Sequence, residues 1–402
     1  MQFDIAIVGA GPAGLATALA IARSGTGHSI ALLERAPRAA LATPAFDGRE
    51  IALSHHAVRV LHDLGAWHRL PQAEIAPLAE ARVSNGRSPL SLRFAPPARA
   101  GEPLGHFAPN HRLRQALFEA VMEETSITLL DETELAELHA TPDAAELRLA
   151  DGRTATARLV VAADSRFSAI RRAQGIGAFM RDYGKTMLVC RVAHERPHGG
   201  VAMEWFGRGI TVAMLPLPGD VSSAVITLPT PEAQRLMAMD DTEFAEALAT
   251  RIGPQPPAAR LGALRPAGTR HAYPLVGVYA HRFAATRLAL AGDAAVGMHP
   301  VTAHGFNFAL RGAERLARDI AKGGADPGAP ATLARYARGH RADTWPLFAA
   351  TDAIAQLYTD DRLPALVARE ALIGLGAALS PIRRLIAARL MHAGQPRVPL
   401  PA

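Results

Sequence analysis

The segment that most constrains this fold lies at the start of the chain. Ile5-Ala6-Ile7-Val8 is a short apolar run that reads as a strand buried on both faces. It feeds Gly9-Ala10-Gly11-Pro12-Ala13-Gly14, and an alanine-rich helix from Leu15 to Ser24 follows. Strand, glycine turn and helix in this order make a Rossmann-type dinucleotide site. Gly9 permits the tight turn, Gly11 lets backbone approach a pyrophosphate, and Gly14 lets the helix pack close to the strand. The helix start, around Ala13, faces the anion. A glycine turn alone is weak evidence. Here a second apolar strand, Ser29 to Leu33, ends in Glu34, where an acceptor for ribose hydroxyls belongs, and Arg35 follows it. An acidic residue there favours a free ribose 2′-hydroxyl, as in FAD or NAD, over a 2′-phosphate.

A downstream element separates those two cofactors. The run from Arg287 to Ala295 is another apolar strand entering a Gly292-Asp293 turn, followed by Pro300 and a helix-like segment from Gly305. A flavin dinucleotide requires such an element, because a carboxylate must hold its ribityl chain and a second helix start should face its ring. The plain alternative for Asp293 is a turn or N-cap aspartate. Between the two ends, Arg158 to Asp164 reads as a third strand, leading into the loop Ser165 to Arg172.

The chain of 402 residues is long enough for two or three domains. From Lys185 to about Pro266, short alternating apolar stretches broken by Gly and Pro predict antiparallel sheet, with a helix at 241–251 and a loop at Pro254–Pro257. The fold class expected is α/β: a Rossmann-type FAD-binding domain with an inserted antiparallel-sheet substrate domain and a C-terminal helical segment. The division expected is 1–75, 102–180 and 268–331 for the discontinuous FAD-binding domain, 76–101 and 181–267 for the substrate domain, and 332–402 for the helical region. Within that region Ala371 to Ile382 is uncharged but too short to span a bilayer. It reads as a helix packed on the FAD domain or a partner, with docking on a membrane surface as the alternative.

Composition narrows the function classes. The net charge of +6 invites a nucleic-acid reading, but 41 of the 43 basic residues are arginines spread without a run, the lysines being Lys185 and Lys322. No nucleic-acid partner is expected. The single Cys190 cannot form an intramolecular disulfide, no Cys/His spacing suggests a metal, and the opening residues show no signal peptide. These point to a cytoplasmic protein, with room for peripheral contact on the inner face of the membrane.

Three separated motifs, Gly9 to Gly14, the block around Asp164, and Gly292-Asp293 with Pro300 and Asn307, resemble the fingerprints of the FAD-dependent aromatic hydroxylases of the para-hydroxybenzoate hydroxylase type. Asp47 to Ser54, Glu195 to Ala202 followed by Phe206, and Leu215-Pro216-Leu217 look like the ubiquinone-biosynthesis hydroxylase branch. Gly292 to Asn307 looks most like the bacterial demethoxyubiquinol C5-hydroxylases. Two departures stand out: Ser165 replaces the usual Gly of the Asp164 motif, and Ala303-His304-Gly305 replaces Gly-Gln-Gly.

The resemblance implies a monooxygenase in which reduced FAD reacts with O2 to a flavin C4a-hydroperoxide and passes OH to an electron-rich ring carbon of a polyprenylated benzoquinol. Its electron donor, NAD(P)H or another, is left open. Asp293 would hold the ribityl hydroxyls, Pro300 would shape the loop beside the ring, and Gly305, Phe306 and Asn307 would offer backbone N–H groups to it. Arg49, Asn110 and Asp164 would add cofactor contacts. His304, near neutrality in its ordinary pKa, is the candidate catalytic residue for proton transfer, against a histidine merely hydrogen-bonded in the loop. The resemblance also implies access to a membrane-borne lipid, through the bilayer surface or other ubiquinone-biosynthesis proteins. Two rivals stay open: a hydroxylase of a soluble aromatic or secondary metabolite, and a noncatalytic scaffold subunit that keeps the FAD fold.

Overall fold

The computed structural model describes residues 1–86, 88–96, 101–252, 254–300, 305–360 and 362–378. The strand Gln2–Val8 sits inside a mainly parallel sheet, because Ile5, Ala6 and Ile7 have apolar neighbours on both faces. It pairs in parallel with Ile30–Leu33 on one side and Thr154–Ala162 on the other, and the latter pairs in parallel with Leu288–Leu290. Ile127–Leu130 extends the far edge. The helices Pro12–Ala22, Asn110–Met122 and Gly305–Ala321 share the core on one face, where Leu15, Leu19, Leu117 and Leu316 are essentially inaccessible. Each such side chain contributes about 1.5–3 kcal/mol. The first helix begins at Pro12, earlier than the sequence pattern suggests, since a proline in the first turn forfeits no intrahelical bond.

A second, mainly antiparallel sheet carries Ala178–His194 beside His271–Ala280 on one edge and Val221–Pro229 on the other. Thr211–Pro216 and Val201–Phe206 continue it, and Glu80–Asn85 joins Val201–Phe206 in parallel. The sheet begins well before Lys185: Ala178–His194 is one strand of 17 residues. Its ladder with His271–Ala280 is interrupted between Asp182 and Thr186, where Gly184 adopts φ +62°. One face of the sheet, including Leu188, Cys190, Val212, Met214 and Ile226, forms a core with the helices Thr230–Ala238 and Asp241–Arg251. The second of these helices opens with a reciprocal cap between Asp240 and Glu243. The expected loop at Pro254–Pro257 instead leads into one helical turn, Pro256–Ala259, where the prolines stand at positions that need no donor.

The opposite sheet face turns toward the first sheet's domain. Arg191 pairs with Glu50 at 2.8 Å, and the Tyr273 hydroxyl donates to the Asp47 carbonyl at 2.5 Å. Glu50–Leu53 belongs to a small third sheet with Gly105–Pro109 and Ala76–Leu78. The C-terminal helices are Pro330–Thr359 and Leu363–Ala378. Among the described residues, no helix is long and apolar enough to cross a membrane.

Candidate active site

The glycine turn divides its labour by space. Gly9 adopts φ +104°, and a Cβ there would meet the Ala163 carbonyl oxygen at 2.5 Å. A Cβ on Gly14 would fall 1.8 Å from the Gly9 oxygen, so these two glycines permit backbone to pass against backbone. Gly11 differs: its backbone is extended (φ −70°, ψ 175°) and a Cβ would meet nothing within 4 Å. The open space lies at the helix start, where N–H groups and the helix dipole favour a diphosphate. Glu34 accepts hydrogen bonds from Ala10 N at 2.7 Å and Ala36 N at 3.0 Å, which fix its carboxylate beside the turn with lone pairs remaining for ribose hydroxyls. Arg35 is exposed and Ala13 half-buried.

Asp164 follows the adjacent strand. Its Oδ2 accepts from Ile170 N at 3.3 Å, while Oδ1 is buried with no partner. An orphaned carboxylate oxygen beside a dinucleotide turn suits a cofactor hydroxyl. Ser165, the residue in the glycine position of the motif, adopts φ +128°, so the backbone keeps a conformation suited to glycine although the residue has a side chain.

The Gly292-Asp293 turn is clamped to this loop. Arg166 pairs with Asp293 at 3.0 Å. The nearly inaccessible Arg171 donates to the carbonyls of Arg166 (3.1 Å) and Ala294 (3.0 Å). Pro300 is exposed beyond it, and His304 lies outside the described residues. At the next helix start, a Cβ on Gly305 would meet nothing within 4 Å, and Phe306 packs against the core. The Asn307 side chain is committed elsewhere: Oδ1 accepts from Ser54 N and Oγ at 3.0 Å each, and Nδ2 donates to the Ala52 carbonyl at 2.8 Å. It anchors the helix to Glu50–Leu53 and leaves only backbone for a cofactor. His299, packed edge-on against Tyr183 at 4.7 Å, is driven down to about 4 by burial and is neutral at physiological pH.

Arg49 and Asn110 converge on Asp47, which sequence reading placed in a motif without giving it a role. Arg49 Nη2 reaches its Oδ2 at 2.6 Å and Asn110 Nδ2 the same oxygen at 2.7 Å. Burial opposes ionisation of Asp47, yet Arg49 and Asn110 together hold its pKa below the ordinary value. The cluster stands about three residues along the strand from Ala52, or ~10 Å. The neighbouring Glu50 behaves oppositely: its side chain has no accessible surface, and burial raises its pKa to about 7 despite Arg191. Arg166, Glu50 and Arg191 were also missed as site residues. For Arg191, in-out alternation along its strand was the available signal.

The open cradle at Gly11, the carboxylate of Glu34, the orphaned Asp164 oxygen and the second open helix start at Gly305 fit an extended flavin dinucleotide. Residues 2–350 match the family model described as FAD binding domain, and the chain belongs to that family, as a flavin-dependent monooxygenase. Among curated relatives, it is 40% identical over 397 residues to ubiquinone hydroxylase UbiM of Neisseria meningitidis, covering 97% of this chain and 85% of that one. It is 38% identical over 385 residues to ubiquinone hydroxylase UbiL of Rhodospirillum rubrum, covering 95% and 88%. These place it in the ubiquinone-biosynthesis hydroxylase branch that its motifs resemble. Klebsiella pneumoniae HpxO, solved with FAD and uric acid, shares the fold at a TM-score of 0.76 and 19% identity, covering 96% of this chain and 97% of that one.

Proposed function

We propose that this monooxygenase hydroxylates a polyprenylated benzoquinol in ubiquinone biosynthesis, at the open ring carbon, C5, of a demethoxyubiquinol. The observation that carries the substrate class is the 40% identity to a ubiquinone hydroxylase across 97% of the chain. The position is supported by the Gly292 to Asn307 motif. The sheet face opposite the helices agrees with an apolar ring: Met187, Ala213, Leu215 and Val225 keep partial accessibility there, whereas Val212 and Met214 on the helix side are buried.

FAD, when bound, supplies the oxygen activation. The chain's own work is binding and orientation. Gly11 and the following helix start receive the diphosphate, Glu34 and Asp164 receive hydroxyls, and Asp293 receives the ribityl chain once Arg166 shares it. Backbone at Gly305, Phe306 and Asn307 supports negative charge on the ring. We assign Pro300 to shaping the ring-side loop, Arg49 and Asn110 to bracing it through Asp47, and His304 to proton transfer. The lipid reaches the site from the membrane surface or from partner proteins at the cytoplasmic side.

Quinone profiling in a demethoxyubiquinol-accumulating host tests the reading. Expression of this chain should clear the demethoxy compound and restore ubiquinone; an unchanged pool, with folded flavoprotein present, overturns it.

A further inference from the structure

One side chain on the open face of the second sheet carries chemistry that the cofactor ligands do not. Glu204 lies in Val201–Phe206, on the same face as Ala202 and Phe206, while Met203 and Trp205 point into the helix-covered core. Strand register sets it beside Ala213, then Val225, then Val189 across the sheet. The next row is Phe206, Thr211, Thr227 and Met187. Phe206 packs against the Tyr358 ring at 3.9 Å, so the helix Pro330–Thr359 closes this end of the face. On the strand three places across, Arg191 joins the same face to Glu50.

Within this largely apolar lining, Glu204 makes no side-chain hydrogen bond or ion pair among the described residues. It keeps partial accessibility although protein surrounds it, as expected of a group lining an enclosed cleft. The titratable group it acts on is Tyr358, on the helix Pro330–Thr359, and Arg369 and Glu370 of the last helix act on that same phenol. Arg369 is committed to the carbonyls of Leu357 (2.9 Å) and Asp360 (2.6 Å) and to the Tyr358 ring, and Glu370 to Asn85 and Ser88. Among the described residues no cation pairs with Glu204, and burial raises its carboxyl to about 8.

We propose that Glu204 is a catalytic residue that accepts the ring-hydroxyl proton of the aromatic substrate. The inference rests on the proposed quinol hydroxylation and names the base for it. The ring O–H bond breaks, an O–H bond forms on the carboxylate, and the electron pair stays on the ring oxygen. That pair raises electron density at the adjacent ring carbon, to which FAD, when bound, would supply the hydroxyl from O2. As that C–O bond forms, the carbon's own C–H proton leaves to restore the aromatic ring, and the carboxyl returns its proton to the ring oxygen, so the base is regenerated. The proton shuttle at Glu204 is itself redox-neutral; O2 is the oxidant of the ring, and its second oxygen leaves as water with the two electrons of the donor. A carboxyl poised close to the working pH suits a proton that must be taken and given back.

The test compares wild type, Glu204→Gln and Glu204→Asp as flavin-loaded proteins with a short-chain demethoxyquinol. Turnover of Glu204→Gln should fall ~100-fold with KM little changed, and Glu204→Asp should recover part of the loss. The wild-type rate should rise with pH through about 8, as the carboxylate forms, and the Gln variant should lack that rise. Independently of turnover, difference absorbance of a bound nitrophenol should show its coloured anion in wild type and its neutral form in Glu204→Gln. A Gln variant with wild-type turnover and pH profile, or with the same anion fraction, overturns the role of Glu204. Failure of wild type itself on the quinol overturns the substrate instead.

Discussion

Replacing Gly11 by Ala separates the cofactor site from the scaffold. The backbone at Gly11 is extended and compatible with alanine, and the added methyl would meet no protein atom within 4 Å. Apoprotein should therefore gain about 0.4–1 kcal/mol, because alanine narrows the unfolded ensemble. The same methyl occupies space that the diphosphate needs. Losing one charge-assisted N–H to phosphate bond costs about 1.5–3 kcal/mol, which corresponds to roughly 10- to 150-fold weaker FAD binding. Gly14→Ala is the contrasting control: its Cβ would fall 1.8 Å from the Gly9 oxygen, so it should lose stability and binding together. Urea unfolding of apoprotein and titration of FAD by quenching of its fluorescence read the two quantities separately. Wild-type FAD affinity in a folded Gly11→Ala protein would refute the placement of the diphosphate.

Ser165→Gly should stabilise the fold by about 1 kcal/mol, since φ +128° costs a residue with a Cβ and suits glycine; an unchanged or lowered unfolding midpoint contradicts the strain. Asn307→Ala should destabilise by about 1–3 kcal/mol for each buried backbone group it orphans, at Ser54 and Ala52, as measured by thermal melting. Glu50 has its folded pKa raised from 4.5 to about 7. Its protonated form therefore favours the fold fully below 4.5, and that contribution is lost as pH rises toward 7. Unfolding free energy measured across this window should decline in wild type and decline less in Glu50→Gln; identical slopes would exclude Glu50 as the source.

The parts of the site built from consecutive residues were legible in the sequence. The glycine turn, Glu34 and the Gly292-Asp293 turn each declare themselves through a strand that precedes them, because local backbone geometry demands those residue types. Residues whose meaning depends on a partner far along the chain were not legible. Glu50 meets Arg191 across 141 positions, and Arg166 meets Asp293 across 127. Asn307 was legible as a site position, but its side chain's attachment to Ser54 was not. Glu204 sits among apolar neighbours supplied by three other strands, and only strand register brings them together. The early start of Ala178–His194 escaped notice for a related reason: its first residues are mostly exposed or half-buried and give weak apolar alternation.

That strand has a mechanical consequence. Seventeen extended residues reach ~55 Å, so one uninterrupted piece of backbone runs from beside the cofactor loops to the far edge of the substrate sheet. A continuous ladder would transmit twist along the whole length. The break between Asp182 and Thr186 is where the two ends can differ in twist without losing further hydrogen bonds. Tyr183, which touches His299 and donates to Asp352 at 2.8 Å, occupies that break. Torsion of the sheet at that break would therefore fall on Tyr183, and through its edge-on ring contact on His299, the residue before Pro300.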